Sequence, residues 1–277
     1  MTIFLQSLLP QHLLSTIAGK LADSRQVWLK NLLIKKFINH YRIDLQEAIV
    51  EKAEDYRSFN DFFTRQLKPE LRPIVSGANE IASPVDGCIA QIGNANGRQL
   101  FQAKGFYFDL INLLGGDEEF SQDFNDTSFA TLYLAPHNYH RIHMPIDGSL
   151  IKTIYVPGKL FSVNCKTAAA IPNLYSRNER LICIFSTRIG LIAVILVGAL
   201  IVGSIQTIWM AEPIRQKTIR VETFTNVTLE KGAELGQFKL GSTVILLFPK
   251  NTMNWVDRYQ PQTAIKYGEL LGSIHLS

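Results

Sequence analysis

Apolar residues recur at helical spacing through the first forty positions: Leu5, Leu8, Leu9, Leu13 and Ile17, then Trp28, Leu32, Leu33, Phe37 and Tyr41. Lysines are interleaved with them, so the pattern predicts amphipathic helices, with Pro10 at a helix start or break. Such a stripe suits a helix lying in a membrane interface as well as a pair of helices docked on a core, and pattern alone does not choose. Ser58 followed by Asp61 predicts a capped short helix through Phe59, Phe62 and Phe63. Lys68-Pro69 and Arg72-Pro73 should end it, because the residue before a proline is pushed out of the helical region. From about Ile81 the texture changes to short apolar or β-branched runs separated by Gly, Pro and Asn: 129–134, 150–156, 181–185, 191–209, 219–223, 244–248 and 270–275. Residues 110–114 predict a small helix. Many short strands with modest helices between them predict an α+β fold, N-terminal amphipathic helices followed by a β-rich core, with the boundary at 57/58.

One run could deceive. Ile189 to Gly203 is fifteen residues without a charged or polar side chain, short of the roughly 20 that a spanning helix needs. It is rich in Val and Ile and contains Gly198 and Gly203, which predicts two buried strands meeting near those glycines. The start of the chain does not read as a signal peptide, since Gln6, Pro10, Gln11 and His12 interrupt the apolar run and the first basic residue is Lys20.

Composition adds little until charge is mapped. Hydrophobic residues make up 47% and charged residues 19%, a globular balance that excludes disorder. The three cysteines, Cys88, Cys165 and Cys183, form no disulfide framework and no zinc-ligand spacing, which points to a reducing compartment. The formal net charge of +4 resides wholly in residues 1–44, where Lys20, Arg25, Lys30, Lys35, Lys36 and Arg42 face only Asp23 and Asp44. A neutral body with a basic amphipathic arm points to an anionic partner, and the apolar stripe favours a lipid surface over nucleic acid.

Three constellations could carry chemistry. Ser83-Pro84-Val85-Asp86-Gly87 reads as a tight turn, or as a rigid mount for a carboxylate that orients a histidine. Between Pro136 and Pro145 stand His137, His140 and His143, half of the chain's six histidines. They suit proton transfer, a metal site or structural hydrogen bonding; the prolines confine any helix there to about two turns, and no metal is expected. Gly241-Ser242-Thr243 precedes the run 244–248 and follows Gly232 and Gly236, which imply tight backbone geometry.

Taken together these motifs resemble the phosphatidylserine decarboxylase proenzyme family of the pyruvoyl-dependent, bacterial type. The likeness is carried by residues 234–248 with their Leu240-Gly241-Ser242-Thr243 core, by Tyr139-His140-Arg141 with His143 and Pro145, and by the 83–87 turn. Phe59-Asn60-Asp61-Phe62-Phe63, Gly158 with 160–164, Asn178-Glu179-Arg180, Val197-Gly198-Ala199 and Val202-Gly203-Ser204 extend it from Ser58 to Gly272. Asn138, where many members carry an acidic residue, and the atypical segment 210–221 depart from the family pattern.

The resemblance implies decarboxylation of phosphatidylserine to phosphatidylethanolamine through a Schiff base with a self-made pyruvoyl group. Loss of a carboxyl group needs an electron sink, and this chain offers no phosphate cradle beside a lysine for pyridoxal phosphate. Ser242 would attack the Gly241 carbonyl, cutting the chain into 1–241 and 242–277 and leaving its own α-carbon as the pyruvoyl ketone. By the same resemblance His143 is the base for Ser242, Asp86 sets its tautomer and steadies its cation, and His140 assists decarboxylation. Arg141, Phe161 and Ser162 are candidates for the headgroup phosphate. The expected partners are phosphatidylserine, an anionic membrane surface on the cytoplasmic face of the cell membrane, and the two cleaved chains as a heterodimer that could dimerise again; no nucleic acid is expected. The alternative is a serine hydrolase using Asp86, His143 and Ser242, although Val244 stands where the second glycine of a nucleophile elbow belongs.

Overall fold

The computed structural model describes residues 10–199, 204–210, 217–239 and 242–275. Its largest element is an antiparallel sheet whose main path runs, edge to edge, through Arg220–Thr223, Gly148–Val156, Arg180–Thr187, Gly190–Val197, Ser242–Phe248, Ser128–Leu134, Gly87–Asn94 and Ala264–Ile265. Thr228–Leu229 also pairs with Gly148–Val156. The expected runs at 129–134, 150–156, 181–185, 219–223, 244–248 and 270–275 are all strands, and 110–114 contains the short helix Leu110–Leu113.

The central strands are buried on both faces, which is why they read as unbroken apolar runs rather than as alternation. Val244, Leu246 and Phe248 enter one core with Val194 and Leu196, beneath Ile142, Met144, Leu235 and Phe238. Ile245 and Leu247 enter the other with Ile195 and Val197, beneath Leu100, Phe108, Leu174 and Tyr175. The run 191–209 resolves into Gly190–Val197 in the large sheet and Ser204–Thr207 in another sheet. The expected junction lies partly outside the described residues, at 200–203.

Five strands position the site: β1 (Gly87–Asn94), β2 (Ser128–Leu134), β3 (Arg141–His143), β4 (Glu234–Lys239) and β5 (Ser242–Phe248). β4 lies between β3 and Ser204–Thr207 in a three-stranded sheet, whereas β5, next along the chain, lies in the large sheet beside β2. The chain therefore changes sheets between Lys239 and Ser242, at the segment singled out for cleavage.

Helices α1 (Gln11–Ala22), starting directly after Pro10, and α2 (Val27–Tyr41) form the arm. The residues that α1 buries are Gln11, Ser15, Gly19 and Ala22, small or polar, whereas Leu13, Leu14, Ile17 and Leu21 are exposed. Helix α3 (Phe59–Phe63) starts at Ser58, whose side chain accepts from Asp61 N at 3.1 Å as the capping pattern predicted. It ends at Phe63, earlier than the prolines implied: Thr64 Oγ1 turns back to the Asn60 carbonyl, and Leu67 bridges Ala48 in extended chain. Phe59, Phe62 and Phe63 pack with Ile34 and Phe37, so α3 shares its core with the arm. Among the described residues no helix is long and apolar enough to cross a membrane.

Candidate active site

The 83–87 segment is a rigid mount. Ser83 Oγ donates to the Val85 carbonyl at 2.9 Å, and the Pro84 carbonyl accepts from His143 N at 2.9 Å, joining the turn to β3. Asp86 is buried and its carboxylate is fully engaged. Arg72 approaches it with Nη2 at 2.8 Å and Nε at 3.1 and 3.2 Å, and Tyr267 N donates at 2.8 Å. Arg72 also binds Glu47 at 2.8 Å. Burial works against the Arg72 charge, yet the hydrogen bonds and charges of Asp86 and then Glu47 hold its pKa above the ordinary value.

His143 ends β3. Its Nδ1 lies 2.9 Å from the Gly232 carbonyl, so that nitrogen carries the proton, and Nε2 accepts from the Tyr139 hydroxyl at 3.0 Å. The Tyr267 ring stacks on the imidazole with centroids 3.7 Å apart, and its hydroxyl donates to the same Gly232 carbonyl at 2.8 Å. Burial lowers the His143 pKa to about 4. The expected role of Asp86 is therefore corrected in part. Gly232, not Asp86, fixes the tautomer, and Asp86 contributes only charge that favours the protonated ring. Gly232 has a φ of +83°, a backbone conformation that L side chains rarely adopt, so glycine suits the turn that aims its carbonyl at His143.

His140 is wholly buried, with its ring 4.1 Å from that of Phe63. Its Nδ1–H donates to the Asn138 carbonyl at 2.8 Å, and Nε2, left with a lone pair, has no hydrogen-bond partner among the described residues. Burial lowers its pKa to about 3, helped by the charges of Arg65 and His137. Ser242, first residue of β5, is also wholly buried with Oγ unpartnered among the described residues, and its Cα partner on β2 is Leu134. Gly241 lies outside the described residues.

Strand register joins these groups. Glu234 pairs with His143 and Gln237 with Arg141, and Phe238 N donates to the His140 carbonyl at 2.9 Å. The loop from Leu134 to His140 thus runs from opposite Ser242 to opposite Phe238. A cleft of about 250 Å³ opens nearby, lined by Lys68, Arg72, Tyr139, His143, Glu234 and Tyr267 among others. Its lining includes neither His140 nor Ser242.

Sequence reasoning missed Arg72, Glu47 and Tyr267, and read Gly232 only as a sign of tight backbone geometry. Arg72 was read only as a helix-ending residue before Pro73, and Tyr267 carried no local signal, being 181 positions from Asp86. Of the headgroup candidates, Arg141 is already engaged by Glu234 at 2.7 Å and by the Thr64 carbonyl at 2.8 Å. Phe161 lies under the Arg177 guanidinium at 5.0 Å.

Comparison with known proteins bears on this arrangement directly. The family model described as phosphatidylserine decarboxylase matches residues 59–273, and a second, described as PSD, matches residues 1–42. The phosphatidylserine decarboxylase proenzyme of Hahella chejuensis is 49% identical over 275 residues, covering 98% of this chain and 93% of the relative. That of Idiomarina loihiensis is 47% identical over 279 residues, with 98% and 96% covered, and that of Coxiella burnetii is 49% identical over 275 residues, with 98% of each covered. With a family model spanning most of its length and relatives this similar along nearly the whole of it, the chain belongs to the phosphatidylserine decarboxylase family and is a decarboxylase.

Proposed function

We propose that this chain is a proenzyme that cuts itself between Gly241 and Ser242 and decarboxylates phosphatidylserine with the pyruvoyl group so made. The observation that carries this reading is a pair of buried polar atoms with no partner among the described residues, Ser242 Oγ and His140 Nε2. They lie where two sheets exchange one strand for the next. Unpaired buried polar groups cost about 1–3 kcal/mol each and are kept where chemistry uses them.

Ser242 Oγ attacks the Gly241 carbonyl, replacing the peptide bond by an ester and freeing the Ser242 amine. Abstraction of the Ser242 α-proton expels the Gly241 carboxylate and leaves a dehydroalanine, which takes up water and loses ammonia to become the pyruvoyl terminus. His143 receives the Ser242 hydroxyl proton at Nε2, once Tyr139 releases it, while the Gly232 carbonyl holds Nδ1–H. The Asp86 charge steadies the resulting imidazolium. In the mature enzyme the pyruvoyl carbonyl supplies the sink for the electrons released with carbon dioxide. His140 Nε2 is the buried base that manages the proton at the substrate α-carbon. A simple serine hydrolase is less well supported, since the Asp86 oxygens are taken by Arg72 and the Tyr267 amide.

The arm brings the site to its lipid. Leu13, Leu14, Ile17 and Leu21 of α1 with Val27, Trp28 and Leu32 of α2 are exposed, and Lys20, Arg25, Lys35 and Lys36 stand among them. A helix that buries glycine, serine and alanine while exposing leucine suits an interfacial helix, and basic flanks add on the order of 1 kcal/mol each near anionic lipid.

Ser242→Ala and His143→Ala are expected to remain single 277-residue chains on a denaturing gel and to release no carbon dioxide from phosphatidylserine. His140→Ala should mature but release at least ~100-fold less. A cleaved Ser242→Ala chain would show the nucleophile to be elsewhere.

A further inference from the structure

Arg65 follows Thr64, the residue that caps the end of α3, and is 6% exposed, yet its guanidinium is mostly unpaired. Nη2 donates to the His137 carbonyl at 3.2 Å, and the group lies 5.4 Å over the Phe62 ring. Nε and Nη1 are buried without a hydrogen-bond partner among the described residues. The other buried guanidinium groups are treated differently. Arg72 is clasped by Asp86 and Glu47, and Arg180 donates to the carbonyls of Asn112, Leu113, Ser176 and Asn178. Burial presses the Arg65 pKa downward, with Asp86 and Glu47 acting on it only through their charge.

A buried cation left unpaired is strongly unfavourable unless an anion arrives. The place is telling. His137 sits in a turn closed by Asn138 N donating to the Ala135 carbonyl at 2.9 Å, directly after Leu134, the partner of Ser242. Phe63, two residues before Arg65, packs on the His140 ring. The unsatisfied fork therefore overhangs the loop that links the position opposite Ser242 to His140.

We propose that Arg65 is the anion anchor of the active site and takes a phosphodiester oxygen of the phosphatidylserine headgroup; this rests on the decarboxylase reading above. The headgroup offers two anions, and their fates in the reaction differ. A guanidinium on the carboxylate would stabilise the charge that must leave as carbon dioxide, holding the ground state back. The phosphodiester keeps its charge throughout, so binding it anchors the substrate and leaves the chemical barrier alone. The planar fork of arginine also matches phosphate oxygens better than an ammonium does. Arg141, the candidate from sequence, already gives Nε to the Thr64 carbonyl and pairs Nη1 with Glu234.

Arg65→Met and Arg65→Lys, assayed as full-length enzyme on phosphatidylserine in mixed micelles, test this. Both should mature, with the pyruvoyl terminus seen by intact mass. In Arg65→Met, KM should rise roughly tenfold or more while kcat stays within about threefold. Glycerophosphoethanolamine, a phosphodiester without a carboxylate, should compete with substrate in the wild type and about tenfold less well in the variant. L-Serine, a carboxylate without phosphate, should compete equally in both. An unchanged KM in a matured variant would overturn the assignment, as would loss of serine competition with that of the phosphodiester kept. Failure of both variants to mature would assign Arg65 to the folded precursor and overturn it too. A wild-type chain that never matures removes the decarboxylase reading and this assignment together, whereas a matured wild type indifferent to Arg65 removes this assignment alone.

Discussion

Burial keeps His140 and His143 neutral, outweighing the Nδ1–H bond that each gives a backbone carbonyl, which favours the charged ring. That leaves a lone pair on each Nε2, the form a proton acceptor needs. Both folded pKa values, about 3 and about 4, lie below the ordinary 6.5, so on acidification the unfolded chain takes up protons first. The stability these rings contribute is complete above pH 6.5 and is lost as pH falls toward 4 and then 3, on the order of 1–2 kcal/mol per ring by pH 5. Urea midpoints should therefore fall between pH 7.5 and 5, and His140→Gln should flatten that dependence; a midpoint independent of pH in the wild type would contradict the burial argument. The histidines, Asp86 and Ser242 were legible in sequence because each sits in a compact motif. Their partners were not, because Arg72 and Tyr267 arrive from separate parts of the chain through folding alone, and Gly232 showed only its tight backbone. The direct link expected between Asp86 and His143 failed for the same reason: Arg72 outcompetes a neutral imidazole for a buried carboxylate.

Among the elements, strands buried on both faces were the easiest to read, since Val244, Ile245, Leu246, Leu247 and Phe248 give five apolar residues in a row. β1 and β4 were passed over because glycine and polar residues interrupt the apolar ones in Gly87–Asn94 and Glu234–Lys239. Yet β4 carries the register that sets His140 and His143 against the chain leading to Ser242. Gly87, read as the last residue of a turn, opens β1, and its backbone presses close to β2. A Cβ there would lie 2.4 Å from the Tyr133 carbonyl oxygen. Backbone cannot yield as a flexible side chain can, so Gly87→Ala should destabilise the protein by roughly 1–3 kcal/mol, read from its urea midpoint, and slow maturation by displacing Asp86. A variant as stable and as rapidly cleaved as the wild type would show that β1 and β2 can part without consequence.

At the scale of the whole molecule, the arm carries the exposed apolar face on which the proposed membrane contact rests. α1 buries its small face, tied to the body by Gln11 Oε1 accepting from Leu160 N at 2.7 Å, and turns its leucines outward. Leu13→Ser, Ile17→Ser and Trp28→Ser combined should weaken binding to phosphatidylglycerol vesicles at least about tenfold while leaving self-cleavage unchanged, since none of the three supports the core. Unaltered vesicle binding would place the membrane contact elsewhere. Under the proposed function, the sheet change at β4–β5 and the histidine pair serve one event, conversion of Ser242 into a carbonyl that accepts electrons. Intact mass spectrometry of the purified, active protein reads that event outright. Two chains are expected, residues 1–241 and residues 242–277, the second lighter by one ammonia than the same peptide made by hydrolysis. A single mass for the unbroken chain, in a preparation that releases carbon dioxide from phosphatidylserine, would contradict it.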